Sequence, residues 1–276
     1  MPCICKYFFI CKWYWGKLSR YLFLIPSQLW NFGVVEVNAK DTNCIWLNQL
    51  QENCADFPEG VFDKIHDERI VGGIEADIGE IQWQANLAYK DELDQFCGGT
   101  LLCDRFVLTA AHCVENEAPE NIVVILGDHN KENENDPYEI TNDVKKIILH
   151  PKYVPETSND NSYNDIALLQ LSKPVRNKKG IRSACLPKNE PIDPRYPDML
   201  ITGWGRVRPE GPGSEVLLKA KVDLISRNKC KEMYGKDGGN VTDRMICASS
   251  PGKDTCQGDS GGILWFLLYD LFKIHT

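Results

Sequence analysis

Apolar positions along this chain fall in short runs separated by polar clusters. Gln82 to Tyr89, Phe106 to Thr109, Ile122 to Leu126, Val144 to Leu149 and Ile166 to Leu171 each have the length and aliphatic content of a strand. Polar stretches from Glu132 to Pro137 and from Glu156 to Asn164 punctuate them. Short strands at this spacing predict an all-β barrel or sandwich. Ser226 is placed to cap a short helix running to about Tyr234, because a serine oxygen accepts from the orphan N–H groups of a first turn. No internal repeat is apparent.

The two ends break this pattern. Residues 1–30 are aromatic and apolar but are interrupted by Lys6, Lys12, Lys17 and Arg20, so no uninterrupted run is long enough to span a bilayer. Tyr21 to Ile25 is a short apolar core with no good cleavage site before Pro26. The segment reads as a poor signal sequence or a misassigned start, ahead of a signal-anchor helix, and membrane anchoring is not expected. Residues 31–69 turn polar and acidic. At the other end, Ile263 to Leu268 is apolar without alternation and is expected not to serve as a half-exposed strand.

A chain of 276 residues is long enough for one large or two small cores. Its formal charge of −8 argues against nucleic acid as a partner, since phosphate binding wants clustered Lys and Arg. Twelve cysteines point to an oxidising compartment, although their connectivity does not follow from the count. Cys3, Cys5 and Cys11 do not have the spacing of a zinc site. Asn240-Val241-Thr242 is a glycosylation sequon suited to a surface loop of a secreted chain.

Candidate chemistry lies in three places. Gly258-Asp259-Ser260-Gly261-Gly262 sets a serine hydroxyl between glycines, which permit a tight turn and close approach of a substrate carbonyl to backbone N–H groups. Taken alone it is equally an ordinary polar turn. Leu108-Thr109-Ala110-Ala111-His112-Cys113 carries a histidine, and Asn164-Asp165-Ile166-Ala167 carries an aspartate at the head of an apolar run. A lone His beside a Cys is usually packing, and an Asp before a strand is usually a turn. Their order and surroundings, together with Cys97-Gly98-Gly99-Thr100, Cys185-Leu186-Pro187 and Thr202-Gly203-Trp204-Gly205, resemble the chymotrypsin-like serine peptidases from Ile70 to Gly262.

That resemblance implies two packed antiparallel β-barrels with the active site between them, formed by residues 70–262 after an activation segment at 31–69. His112 would act as general base, Asp165 would orient it, Ser260 would be the nucleophile, and the N–H groups of Gly258 and Ser260 would form the oxyanion hole. Asp254, six residues before Ser260, would select Arg or Lys. Cleavage after Arg69 would free an amino terminus at Ile70 to pair with Asp259. The resemblance pairs Cys97 with Cys113, Cys230 with Cys247, and Cys54 with Cys185, which would keep the activation segment attached. It assigns no partner to Cys3, Cys5, Cys11, Cys44, Cys103 or Cys256. Met199 stands where many relatives carry a cysteine whose partner falls near Phe266.

No cofactor is required by this reading. Asp128, Glu134, Asp136 and Glu139 lie in a loop where some relatives bind calcium, and are read here as an acidic solvated loop. The expected partners are protein substrates, an activating protease and protein protease inhibitors. The family pattern continues well past Gly262, so the second barrel is expected to be incomplete and residues 263–276 to be a tail outside the family pattern. Two functions follow: a secreted, trypsin-like endopeptidase made as a zymogen, or a truncated homologue that binds substrates or inhibitors without turnover.

Overall fold

The computed structural model describes residues 73–133, 136–155, 163–176, 178–184, 198–205, 212–234, 241–242, 245, 247–249, 260–262 and 264–266. Strands dominate: β1 (Ile74–Glu75), β2 (Gln84–Tyr89), β3 (Gln95–Cys103), β4 (Phe106–Thr109), β5 (Ile122–Leu126), β6 (Ile140–Leu149), β7 (Ala167–Leu171), β8 (Asp198–Gly203), β9 (Leu218–Ile225), β10 (Cys247–Ser249) and β11 (Leu264–Phe266). The helix α1 (Arg227–Tyr234) follows β9. Ser226 caps it as expected, its side-chain oxygen accepting from the Lys229 N–H at 3.4 Å.

Six strands close into an antiparallel barrel in the order β2-β3-β4-β7-β6-β5, which leaves no edge strand to pair with another chain. The patterns of its strands show why they sit where they do. β7 alternates, with Ala167, Leu169 and Leu171 wholly buried and facing the barrel core. β5 is buried throughout: Ile122, Val124 and Leu126 enter the main core, while Val123 and Ile125 pack with Ala88 in a second cluster. A strand covered on both faces reads as a continuous apolar run. β6 loses its alternation at Lys145 and Lys146, where the register with β7 shifts between Val144 and Lys146. β3 was hidden in the sequence because Gly98 and Gly99 dilute its strand propensity.

The second unit is a five-stranded antiparallel sheet in the order β1-β9-β8-β11, with β10 also on β9. Met199, Ile201, Ala220, Val222 and Ala248 form its core. Among the described residues it is an open sheet rather than a second closed barrel. Contrary to the expectation for the C-terminal run, Leu264–Phe266 is a strand paired with β8. It lies beside Met199, Leu200 and Ile201, all buried, and a strand added to a doubly covered neighbour has no need of alternation. Phe266 stands directly opposite Met199.

The two units are joined by polar contacts as well as by shared core. Trp204 and Leu217 pack with barrel residues in one cluster. The Trp204 indole N–H donates to the His129 carbonyl at 3.0 Å, and the Thr202 hydroxyl donates to Gln84 Oε1 at 2.8 Å.

Candidate active site

Strand register brings the histidine and the aspartate together. β4 and β7 are antiparallel neighbours with Thr109 opposite Ala167. His112 lies three residues beyond one end of that pair and Asp165 two residues before the other, so both emerge at the same rim. Ala110 and Ala111 are wholly buried, which turns the chain inward before His112. Asn164, at φ 50°, bends the chain into Asp165, and its side-chain N–H₂ donates to the Lys152 carbonyl at 2.6 Å.

Asp165 is 1% exposed and holds His112 at two points. Its Oδ1 accepts from the His112 backbone N–H at 2.7 Å, and its Oδ2 lies 2.7 Å from Nδ1. An ionised carboxylate only accepts, so Nδ1 carries the proton and Nε2 of the neutral ring presents its lone pair outward. The imidazole itself is 32% exposed. The pair therefore has a buried carboxylate behind a partly exposed ring.

The Ser260 loop docks onto β3 beside this pair. The Gly98 N–H donates to the Ser260 carbonyl at 2.7 Å. Gly261 adopts φ 79°, where a Cβ would strike the Thr109 hydroxyl and the Gly98 carbonyl, so only glycine fits without displacing β3 and β4. Gly98 is constrained from the other side, since a Cβ there would stand 3.3 Å from Gly262. The Thr109 hydroxyl donates to the Gly98 carbonyl at 2.8 Å and ties the two receiving strands together. Cys113, bonded to Cys97, places its sulfur 3.7 Å from His112 Nε2 and 3.7 Å from the Ser260 carbonyl. These contacts bring the three expected residues, His112, Asp165 and the half-buried Ser260, to one rim of the barrel. Cys97, His112 and Cys113 also cluster as metal ligands would, but the disulfide removes both thiolates that zinc would need.

Two of the expected disulfides, Cys97–Cys113 and Cys230–Cys247, are present. Cys103, left unassigned by the sequence, is also disulfide-bonded, and its partner lies outside the described residues. Gly258, Asp259, Asp254, Arg69, Ile70, Cys54, Cys185, Cys256, Asn240 and Glu134 fall outside them as well.

The acidic loop departs from its expectation. Asp128 and Asp136 are each only 8% exposed, so they are not solvated. Asp136 accepts from the backbone N–H groups of His129 and Asn130 and from the Asn133 side chain, which folds the loop around it. Asp128 Oδ2 accepts from Asn86 at 3.0 Å, while its Oδ1 is buried without a hydrogen-bond partner. Burial holds the Asp128 carboxyl above the ordinary range. Carboxylate oxygens of Asp128, Asp136 and Glu139 all lie within 4.8 Å of one another.

Among the described residues no helix is long and apolar enough to cross a membrane. The family model Trypsin matches residues 70–265. The chain is 34% identical over 200 residues to venom serine protease 34 of Apis mellifera, a match covering 71% of this chain and 48% of that protein. It is 35% identical over 222 residues to venom serine protease Bi-VSP of Bombus ignitus, covering 75% and 59%. It is 35% identical over 216 residues to phenoloxidase-activating factor 3 of Holotrichia diomphalia, covering 72% and 60%. The chain thus spans about half to three fifths of the length of these curated relatives. With a family match across most of its length and an all-β architecture built on a closed antiparallel barrel, the chain belongs to the trypsin family of chymotrypsin-like serine peptidases.

Proposed function

We propose that this chain is a secreted serine endopeptidase, made as a zymogen, activated by cleavage after Arg69 and directed to peptide bonds following Arg or Lys. The observation that carries the reading is the buried Asp165 holding His112 at both Nδ1 and the backbone, next to a Ser260 loop fitted to the same rim. A binding-only protein has no chemical need for an imidazole fixed in one tautomer beside a serine.

In this reading, Nε2 of His112 takes the Ser260 hydroxyl proton as the oxygen attacks the scissile carbonyl carbon. Asp165 stabilises the imidazolium that results, and the N–H groups of Gly258 and Ser260 receive the oxyanion. The imidazolium then gives its proton to the leaving amine as the C–N bond breaks. Water enters by the same base, attacks the acyl-enzyme and releases the acid, with Ser260 regaining its proton. All proton transfers run through this chain's own side chains. Asp254 supplies the charge that selects a cationic side chain, because a buried charge is costly unless its opposite is brought to it. Two relatives are named venom proteases and one a phenoloxidase-activating factor, which supports secretion and a protein substrate within a proteolytic cascade. An activating protease is the partner such a zymogen requires, and protein protease inhibitors are the further partners proposed for it.

The acidic loop offers three oxygen donors, one of them a buried carboxylate oxygen in want of a partner, and this set suits a hard cation such as calcium. Asp128, Asp136 and Glu139 would hold it, and it would serve loop stability rather than the reaction.

Purified chain cut after Arg69 is expected to cleave Arg and Lys amide substrates far better than Phe substrates, with activity lost in Ser260→Ala. Equal hydrolysis of all three substrates would remove the specificity reading. A cut chain that cleaves none of them would remove the enzyme reading.

A further inference from the structure

Residues 73–80 begin just downstream of the Arg69-Ile70 junction and are fastened along the second sheet. Ile74 and Glu75 pair with Lys219 and Leu218 of β9. The Ala76 N–H donates to the Leu217 carbonyl at 2.9 Å. Gly73, at φ 84°, presses so closely on β9 that a Cβ would stand 2.7 Å from the Lys219 carbonyl oxygen. The Lys219 side chain then reaches Glu80, with Nζ 2.6 and 2.8 Å from the two carboxylate oxygens. The side chains of this pair are 2% and 5% exposed. Glu80 Oε2 also accepts from the Asp77 N–H at 2.7 Å, so one carboxylate closes the 77–80 turn and receives the β9 lysine.

A buried ion pair is a poor way to add stability, because the desolvation of both charges offsets most of their attraction. What it supplies is a single arrangement: the segment is held to β9 at one register and in one direction. Ile70 lies three residues from Gly73, so an amino terminus freed there can travel no more than about 10 Å from that glycine.

We propose that Glu80 and Lys219, with Gly73, form the pivot that sets where the amino terminus released at Ile70 is delivered, making this buried pair positioning residues for activation. The proposal rests on the activation reading above. A fixed pivot restricts the freed terminus to fewer conformers, and a loosened one would lower the population of the inserted, active state.

The test compares the wild-type chain with Glu80→Met/Lys219→Leu, both cut after Arg69. Melting temperature reports folding, and the rate at which cyanate carbamylates the Ile70 amino group reports its insertion. Steady-state kinetics on an Arg amide substrate report the active fraction. The double variant is expected to stay folded with a melting temperature near that of the wild type, since loss of the Asp77 acceptor offsets what removing the buried charges gains. Its Ile70 amine should react roughly tenfold faster, and kcat should fall by a similar factor with KM little changed, within the usual range of coupling between sites. Wild-type carbamylation and kcat in a folded double variant would overturn the pivot. If that variant does not fold, Glu80→Gln/Lys219→Met keeps the acceptor for Asp77 and is judged by the same criteria. A protected Ile70 amine in a wild-type chain that hydrolyses nothing would sink the enzyme reading and leave the pivot to be decided by carbamylation. An unprotected amine in the cut wild type would overturn both.

Discussion

Asp165 acts on His112 through two bonds, and only one of them concerns the ring. Replacing it with Asn should leave the bond to the backbone N–H in place while allowing the amide to favour the wrong tautomer. Asp165→Asn is therefore expected to lower kcat by about 10⁴, the usual cost of losing the orienting carboxylate in such a triad, with melting temperature nearly unchanged. A loss below tenfold would mean that the ring is oriented by something else. Gly261 carries a different constraint, steric rather than electrostatic. Gly261→Ala must leave φ 79° or push back Thr109 and Gly98, and either moves the Ser260 loop. Kinetics on an amide substrate should show a loss of about 100-fold or more, as expected from a misplacement near 1 Å, whereas unchanged turnover would show that the loop does not need this fit. These residues were legible as His, Asp, Ser and Gly within recognisable motifs. The amide of Gly98 was not, because a backbone donor leaves no trace in side-chain chemistry.

At the level of elements, legibility followed apolar content. Phe106–Thr109 and Ile122–Leu126 were read to the residue, and Ala167–Leu171 to within one, because aliphatic runs with few glycines carry their own signal. β3 carries no such signal, although it holds Cys97 and the Gly98 amide that receive the serine loop. Its glycines permit the close approach of Gly262, Val107 and Leu87, so the feature that lets the loop dock is the one that conceals the strand. β11 is concealed for a different reason, since an apolar run without alternation has no period to read, and its place follows only from pairing with β8. The Lys219–Glu80 pair joins positions 139 residues apart, and nothing local marks either charge as buried. The Cys97–Cys113 bond ties β3 to the turn that carries His112 over a separation of 16 residues. Cys97→Ala/Cys113→Ala should lower unfolding free energy by about 3 kcal/mol in denaturant titration, from loop-closure entropy. It should also reduce turnover, because the sulfur packs against both His112 and the Ser260 carbonyl. Stability lost without any change in turnover would confine the disulfide to the scaffold.

At the scale of the molecule, the described residues form one barrel that carries His112 and Asp165, and a second sheet that joins it through Trp204, Thr202 and Lys219. The 127–139 loop sits at that junction, since His129 receives the Trp204 indole through its carbonyl and binds Glu75 of β1 at 2.8 Å through Nε2. A cation held by Asp128, Asp136 and Glu139 would stabilise the joint between units rather than the loop alone. Calcium at about 100 times its dissociation constant should add about 2.7 kcal/mol, raising the melting temperature by roughly 5 to 10 °C for a domain of this size. Asp128→Asn should abolish that rise, and a melting temperature indifferent to calcium in the wild type would return the cluster to a hydrogen-bonded turn. The central claim is that the rim formed by His112, Asp165 and Ser260 makes a working nucleophile once Arg69 is cut. Labelling of the full chain with a fluorophosphonate, before and after that cut and with the modified residue mapped by mass spectrometry, tests it most directly. One probe per chain on Ser260, appearing after cleavage and absent in His112→Ala, is the predicted result. A cut chain that remains folded and takes up no probe at Ser260 would contradict it.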